Sequence, residues 1–333
     1  MRENSGRRAT SADVAREAGV SRTTVSYVLN GADPTEVSEA TRERVFAAAR
    51  RLDYTTDGAA RTLKRGRSDF VLVLMENLPF SPLVGATSFA MSEELSKNGL
   101  TLLLVPWASR RQPLPSLIAT LSPAAIITVE PLPRADIATA RRFGVPLVTV
   151  AGGGVAADGF GDTYRSIGRL QGCEMIAMGY ERLVVALPTD QRQIAGARIR
   201  MAGVGDACAE AGLPTPEAVA VGADPTQAER VVGELRNCAH RIGVCAYDDD
   251  VALTMIGAAA RLELTVPGVF GVIGVDDTHA GRVALPALTT IAWNGDAIAS
   301  SAARAVLRQL GAAAATDDAV HADLVRVVRR ASA

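Results

Sequence analysis

Most of the chain alternates between short, uninterrupted runs of Val, Ile and Leu and longer stretches in which apolar and polar residues are mixed. Uninterrupted apolar runs predict strands buried on both faces, because a strand with one wet face alternates apolar and polar residues. Amphipathic stretches between them, such as 82–98 and 251–264, predict helices that cover parallel sheets. From Asp69 onward, the length suits two such sheets. The eight runs are FVLVLM, LTLLLVPW, AAIITVE, VPLVTVA, RLVVALP, AVAVG, IGVCAY and VFGVIGVD.

The composition is that of a globular protein. The chain has 333 residues, of which 48% are hydrophobic, and a formal net charge of -1. No apolar run reaches the roughly 18 residues of a membrane span, and the N-terminus lacks the apolar segment of a signal peptide, so we expect a cytoplasmic protein without a membrane partner. Four cysteines without a C-x-x-C pair and three scattered histidines indicate neither a zinc cluster nor a disulfide framework. No metal and no cofactor are expected.

Charge is distributed unevenly along the chain. Residues 1–68 hold 13 Lys and Arg against 9 Asp and Glu, a balance of +4, which leaves -5 for the rest. A basic head on an acidic body favours an anionic partner for the head alone.

The basic head contains two short helical patterns. TSADVAREAG predicts a helix with Thr10 and Asp13 at its start and Gly19 as the left-handed residue that ends it. Ser21 then begins a second helix. Two short helices joined by a tight turn that contains glycine are typical of a helix-turn-helix, whose second helix enters the major groove of DNA.

A third helix is predicted over VSEATRERVFAAARRLDY, beginning at Ser38, with Val45, Phe46, Ala49 and Leu52 as its buried side. Periodicity alone also permits an ordinary three-helix bundle with a polar outer face.

Three stretches of the head then carry a family resemblance. TSADVAREAGVSRTTVSYVLNG, VSEATRERVFAAARRLDY and AARTLKRGRS resemble the DNA-binding head and hinge of the lactose/galactose repressor (LacI/GalR) family of bacterial transcriptional regulators. The resemblance implies a helix-turn-helix domain over 1–54, a hinge over 55–68 and an effector-binding and dimerisation core over 69–333. It implies that the base-reading residues are Arg22, Thr23 and Tyr27. It implies that the residues holding phosphates or fixing the helix register are Thr10, Ser21, Thr24, Ser26 and Asn30.

The hinge has too few apolar groups to hold structure by itself, so its composition alone indicates a flexible basic linker. The family resemblance implies that Ala60 to Lys64 fold into a short helix on DNA. Leu63 would insert into the minor groove beside its dimer mate, and the minor-groove residues would be Ala60, Leu63 and Lys64.

The body resembles the core of the same family in stretches such as ARIRMAGVGDACAEAGL, AYDDDVALTMIGAA and VIGVDDTHAGRVALPALTTI. That core is a type I periplasmic-binding-protein-like fold, an α/β body of two parallel-sheet lobes with a small molecule in the cleft between them. One lobe would comprise 69–160 with 292–313, and the other 161–291 with 314–333. The effector-binding residues implied by motif are Phe80, Asp162, Arg200, Asp248 and Asp276.

An arginine and carboxylates that converge on a cleft can hold a polar small molecule through charge-assisted hydrogen bonds. Each of them can equally serve as a structural ion pair or a helix cap. Asp248 in particular precedes an apolar helical run and suits a helix start by charge alone.

Together, these features predict a sequence-specific transcriptional regulator that is not an enzyme. We expect a repressor that binds near-palindromic double-stranded operator DNA as a homodimer and responds to a sugar or other polar metabolite. One alternative keeps the DNA-binding head but gives the core a dimerisation role without a ligand. The other is an NAD-dependent enzyme, because VPLVTVAGGGVAA places Gly152, Gly154 and Ala157 after a strand; no helix follows directly, however, to receive a pyrophosphate.

Overall fold

A computed structural model divides the chain into two compact units, Met1–Ser68 and Asp69–Ala333. The residues that it describes are 9–29, 37–54, 62–63, 65–75, 81–107, 112–129, 132–150, 161–222, 225–237, 241–268, 270–312 and 324–333.

The first unit contains three helices, which are α1 (Ser11–Ala18), α2 (Arg22–Leu29) and α3 (Glu39–Arg51). The start of α1 is a capping box, in which the Thr10 amide donates to the Asp13 carboxylate at 2.9 Å and the Asp13 amide donates to the Thr10 hydroxyl. Gly19, at φ 66°, ends α1 in the left-handed region that glycine enters without strain. The predicted helix-turn-helix is therefore present in this unit.

A small apolar core joins the three helices. Its buried members are Val14, Ala15, Ala18, Val25, Val28, Val45, Ala48 and Ala49. The prediction that Phe46 is buried was wrong, because 40% of Phe46 is exposed. On α3, Val45, Ala48 and Ala49 are spaced by three and four residues and share one face, from which Phe46 is rotated by about 100°. At Ser38 the hydroxyl donates to the Thr41 hydroxyl and caps no backbone amide.

The second unit contains two sheets. The first is a parallel sheet with strand order β2-β1-β3-β4, in which Val71 of β1 lies opposite Leu102 of β2 and Ala125 of β3. Its strands are β1 (Phe70–Met75), β2 (Thr101–Pro106), β3 (Ala125–Thr128) and β4 (Leu147–Thr149). The helices between them are α4 (Pro82–Ser96), α5 (Leu114–Leu121) and α6 (Arg134–Arg142).

The second sheet has six strands in the order β10-β9-β8-β7-β5-β6, all parallel except β10, which runs antiparallel to β9 at the edge. Its strands are β5 (Arg182–Leu187), β6 (Glu217–Ala220), β7 (Ile242–Ala246), β8 (Phe270–Val275), β9 (Thr289–Trp293) and β10 (Val325–Val328). The accompanying helices are α7 (Gly161–Ala177), α8 (Ile194–Glu210), α9 (Pro225–Leu235), α10 (Asp249–Arg261) and α11 (His279–Val283).

A last helix, α12 (Gly295–Gln309), returns to the first sheet, where its buried alanines share a core with Val71 and Ile127. We call the first sheet with α4, α5, α6 and α12 the first lobe, and the second sheet with α7 to α11 the second lobe. The predicted fold class, an all-α head and an α/β core of two lobes, is confirmed. Strand β9 stays in the second sheet as far as Trp293, and β10 adds an antiparallel edge.

Two helices of the second lobe touch along their backbones. A Cβ added to Gly168 of α7 would lie 1.9 Å from the Arg200 carbonyl oxygen, and one added to Gly203 of α8 would lie 1.9 Å from the Arg165 oxygen. Only glycine fits at both positions, so the backbones of α7 and α8 are in direct contact where the two helices cross. The crossing fixes Arg200 of α8 beside Tyr164 of α7.

In the part of the chain described above, no helix combines the length and the apolarity that crossing a membrane requires.

Candidate DNA-reading face and effector cleft

The outer face of α2 is polar and exposed. Arg22 and Thr23 are exposed, as is 44% of Tyr27, whereas Val25 is buried on the opposite side. Thr23 and Tyr27 are four residues apart and share the face of α2 that is turned away from Val25, and Arg22, at the start of the helix, is rotated by about 100° from Thr23 and adjoins that face. The valines of α2 pack into the core of the head. The described residues of the head do not cover the surface formed by Arg22, Thr23 and Tyr27.

Hydroxyl groups cluster where α1 and α2 begin. The Ser21 hydroxyl accepts from the Thr24 amide at 3.0 Å and lies 2.8 Å from the Thr24 hydroxyl, so Ser21 caps α2. The Thr10 hydroxyl donates to Asp13 at 2.7 Å, which commits its single proton within the head. Ser26 is half-buried, and Asn30 lies outside the described residues.

The hinge is described in part. Thr62 and Leu63 are helical, and 88% of Leu63 is exposed. The other two predicted minor-groove residues, Ala60 and Lys64, lie outside the described residues.

A cavity of about 660 Å³ lies between the two lobes. Strand ends from both sheets open onto it, including Met75 of β1 and Val150 after β4 in the first lobe. Ligands of open α/β sheets bind at the carboxyl ends of the strands, where this cavity lies. Its size matches that of small-molecule sites.

Arg200 enters this cavity from α8 with only 6% of its surface exposed. Its guanidinium carbon lies 4.9 Å from the centre of the Tyr164 ring and 4.5 Å from that of Tyr247, and Nη1 donates to the Tyr247 carbonyl oxygen. Two rings and one hydrogen bond therefore fix the orientation of the cation. Its Nε is buried and has no hydrogen-bond partner in the described part of the chain.

Asp276 reaches the same cavity from the loop after β8. Its Oδ1 accepts from the Trp293 indole nitrogen at 3.0 Å, and its φ of 110° is a conformation that few residues other than glycine adopt. Desolvation raises the pKa of the Asp276 carboxyl to about 7; the positive charge of Arg200 lowers it, and the neighbouring carboxylates of Asp248 and Asp249 raise it further. Asp276 is thus an anion at mildly alkaline pH and a proton donor at acidic pH.

Two known protein families match this chain, one over the head and one over the core. Residues 10–57 match the model of bacterial regulatory proteins of the lacI family, and residues 173–333 match that of a periplasmic binding protein-like domain. The chain carries a lacI-family helix-turn-helix domain followed by a periplasmic binding protein-like domain.

Curated relatives match nearly the whole length of this chain. The HTH-type transcriptional regulator GalR of Salmonella typhimurium (strain LT2) is 29% identical, over 97% of this chain and 96% of the relative. The HTH-type transcriptional repressor PurR of Escherichia coli O139:H28 is 28% identical, over 91% of this chain and 90% of the relative.

Solved structures share the fold. A crystal structure of the lac repressor dimer bound to operator and the anti-inducer ONPF is 22% identical, covers 98% of this chain and 99% of its own, and has a TM-score of 0.76. A complex of the transcriptional regulator CelR with cellobiose is 21% identical, covers 98% of this chain and 100% of its own, and has a TM-score of 0.61.

Of the effector residues implied by the lacI-family resemblance, the structure brings Arg200, Asp248 and Asp276 together at the cavity. Asp248 also caps α10, with Oδ1 accepting from the Val251 amide at 2.8 Å, and burial raises the pKa of its carboxyl. Asp162, at the start of α7, is exposed and is not among the residues that line the cavity. Phe80 lies outside the described residues, as do the glycines of the alternative dinucleotide motif at 152 and 154.

Four residues of the cleft were missed by reasoning from the sequence, namely Tyr164, Tyr247, Asp249 and Trp293. Tyr247 directly follows β7 and Trp293 ends β9, so their place at carboxyl ends of strands was a signal that could have found them. Asp249 is fully buried; its Oδ2 accepts from the Thr278 amide at 2.7 Å, and its Oδ1 accepts from the Thr290 hydroxyl at 2.6 Å. It holds the loop that carries Asp276.

Proposed function

We propose that this lacI-family regulator is a repressor that binds a near-palindromic operator as a homodimer, with its affinity set by a small molecule in the cleft between the lobes. The observation that carries the proposal is the exposed surface of Arg22, Thr23 and Tyr27 on the second helix of the helix-turn-helix. Since its partner is operator DNA, we place the protein in the bacterial cytoplasm.

The exposed surface of α2 suits base reading. Arg22 can donate two parallel hydrogen bonds to O6 and N7 of a guanine, which discriminates by about 1–3 kcal/mol against other bases. Ser21 and Thr24, at the start of α2, suit the phosphate contacts that fix the register of the helix. Contacts with phosphates carry no sequence information.

The exposed Leu63 suits insertion into the minor groove. An apolar wedge unstacks one base step at a cost of a few kcal/mol, which is offset by the contacts that the bent duplex makes. We expect Ala60 and Lys64 to contact the groove on either side of it.

A homodimer is expected because a single recognition helix reads too few base pairs for a specific site. Three large apolar side chains on the surface of the second unit are mostly exposed and suit a subunit interface. The exposed fraction is 70% for Phe89, 63% for Val283 and 92% for Leu285. In a two-fold dimer the same surface of both subunits forms the interface, so a contact between one residue and another occurs twice.

The cleft offers a way to regulate DNA binding. A ligand held by Arg200 on one side and by the first lobe on the other favours one relative setting of the lobes. If that setting changes the spacing of the two heads of a dimer, operator affinity changes by the same coupling free energy, typically about 1–3 kcal/mol. Induction and corepression both follow this rule.

Selection of bound DNA from a random pool tests the proposal. The full-length protein should enrich a near-palindrome with two half-sites. The same selection with a metabolite extract present should change the yield of that sequence if the cleft regulates binding. A thermal-shift screen separates this from a core that only dimerises, since a ligand at 100 times its dissociation constant adds about 2.7 kcal/mol to stability.

A further inference from the structure

Two exposed apolar side chains of the proposed subunit surface, Val283 and Leu285, lie in the connection between β8 and β9. We call residues 277–288 the patch loop; it contains α11. Surface connections are generally the more mobile parts of a fold. An apolar patch on a mobile loop binds weakly, because association must first order the loop. How firmly the patch loop is held therefore decides how well it can form an interface.

The end of the patch loop is held through its backbone by residues 330–332, which we call the anchor segment. The Ala331 amide donates to the Ala287 carbonyl oxygen at 2.9 Å. The Arg330 guanidinium donates through Nη1 to the next carbonyl oxygen, that of Leu288, at 2.8 Å. Two successive carbonyl groups of the patch loop therefore have their hydrogen-bond partners in the anchor segment.

The anchor segment is itself fixed in the second sheet. Ser332 is fully buried, and its hydroxyl donates to the Val272 carbonyl oxygen of β8 at 2.6 Å. The Ser332 carbonyl oxygen accepts from the Val272 amide at 2.8 Å. The same hydroxyl also accepts from the Thr289 amide at 2.9 Å, where β9 begins. The anchor segment is thus bonded to both β8 and β9, which makes it a rigid support for the patch loop.

One side chain of the anchor segment reaches both ends of the patch loop. Nη2 of Arg330 donates to Oδ1 of Asp277, the first residue of the loop, while Nη1 holds the carbonyl group of Leu288, the last. Arg282 of α11 donates to the second oxygen of the same carboxylate at 2.8 Å. Only 18% of the Arg330 side chain is exposed. A mostly buried cation therefore closes the loop, and the apolar patch lies between its two attachment points.

We propose that Arg330 is a positioning residue of the subunit interface, which fixes the patch loop in the conformation that presents Val283 and Leu285 to a second copy of this chain. The proposal rests on the homodimer of the proposed function and specifies what shapes one of its surfaces. The loop is ordered when the chain folds, so association does not have to order it, and the dissociation constant of the dimer is lower. Arg330 acts through the loop and needs no contact with the partner subunit.

Sedimentation equilibrium of the full-length protein over a range of concentrations tests the proposal. Arg330→Gln removes the guanidinium from both ends of the patch loop and should raise the dissociation constant of the dimer about tenfold. Arg329→Gln is the matched control in the neighbouring residue, because Arg329 pairs with Glu174 of α7 and, in the described structure, bonds no residue of the patch loop. The control should change the dissociation constant by less than about twofold.

Leu285→Ala separates positioning from a general loss of stability. This substitution should weaken association by itself, since it shortens an apolar side chain of the patch. If Arg330 acts by presenting the patch, Arg330→Gln in the Leu285→Ala background should raise the dissociation constant by about threefold or less. Two independent effects would multiply instead.

Melting curves identify a temperature at which every variant is folded. If Arg330→Gln does not fold, Arg330→Lys takes its place in the same comparison. It keeps a cation beside Asp277 and gives up the second attachment, so the dissociation constant should rise about threefold.

A dissociation constant that the substitution at Arg330 does not alter, an equal change in Arg329→Gln, or full additivity with Leu285→Ala would each overturn the positioning role. In these cases the native protein is a dimer, and the proposed function stands. A native protein that stays monomeric at every concentration would overturn the homodimer of the proposed function and this inference with it.

Discussion

Asp276 and Asp277 are consecutive residues with left-handed backbones, at φ 110° and 53°, yet the pKa values of their carboxyls shift in opposite directions. Desolvation raises that of Asp276 to about 7. Burial also acts to raise the pKa of Asp277, but hydrogen bonds from Arg330 and Arg282 outweigh it and hold the value below 3.8. The two neighbouring carboxyls therefore have different environments: Asp276 is desolvated at the cavity, and Asp277 anchors the loop to the C-terminal segment.

Asp276→Asn should stabilise the core at alkaline pH. The folded-state pKa of Asp276 lies above its ordinary value of 3.8, so its contribution to stability is fully present below that value and is lost as pH rises through about 7. The variant removes this loss and keeps an oxygen for Trp293. Urea unfolding should show its free energy of unfolding rising relative to the native protein between pH 5 and pH 8, by on the order of 2 kcal/mol. A difference that is the same at both pH values would contradict the burial of an ionised Asp276.

Asp277→Asn should have the opposite effect. The pKa of Asp277 is lowered on folding, so its contribution is present above the unfolded value and is lost as pH falls through the folded one. Loss of the pairs with Arg330 and Arg282 should cost about 2 kcal/mol at pH 7. The cost should become smaller only as the pH falls below the ordinary pKa of 3.8. Arg230→Ala breaks an exposed pair with Glu234 and serves as the control, with a cost below about 0.5 kcal/mol. Equal costs for the two variants would refute the anchoring role.

Leu285→Glu should convert the proposed homodimer into a monomer. If Leu285 lies in the subunit interface, the introduced charge is left unpaired and desolvated there, which weakens association by several kcal/mol. Sedimentation velocity at micromolar protein concentration would measure the fractions of dimer and monomer. Phe143→Glu is the matched control, because 45% of Phe143 is exposed at the end of α6 and we assign it to no interface. A dimer that persists in Leu285→Glu would exclude this patch.

Leu63→Ala should reduce the bending of operator DNA and leave the core folded. The side chain is 88% exposed, so its removal takes nothing from a protein core, and only the contact with DNA is lost. Energy transfer between dyes at the two ends of an operator fragment would report the bend. Unchanged bending would rule out the wedge.

Much of the fold was predictable from local patterns. Seven of the eight apolar runs contain one of the strands β1 to β8, the run AVAVG overlaps β6, and the capping residues marked the start of α1. Strand β9 was not predicted from the sequence, because it begins with two buried threonines instead of an apolar run. The Thr290 hydroxyl is paired with Asp249 and that of Thr289 accepts from the Arg330 amide, and such pairing between distant segments leaves no local pattern.

The cleft was predictable in its charged residues and not in its aromatic ones. Arg200 and Asp276 stood in recognisable motifs, whereas the rings of Tyr164 and Tyr247 reach Arg200 only because α7 and α8 cross at bare glycine backbones. That geometry depends on tertiary packing. For Asp248, the sequence left both a ligand and a helix cap open, and the structure contains the cap.

Base reading by Arg22, Thr23 and Tyr27 is tested most directly by DNA selection with the native protein and with Arg22→Ala. The native protein should enrich one near-palindromic sequence, and Arg22→Ala should lose its preference at one position of each half-site while still binding, with a cost of about 1–3 kcal/mol. An unchanged preference in Arg22→Ala, or only salt-sensitive binding to all sequences by the native protein, would contradict it.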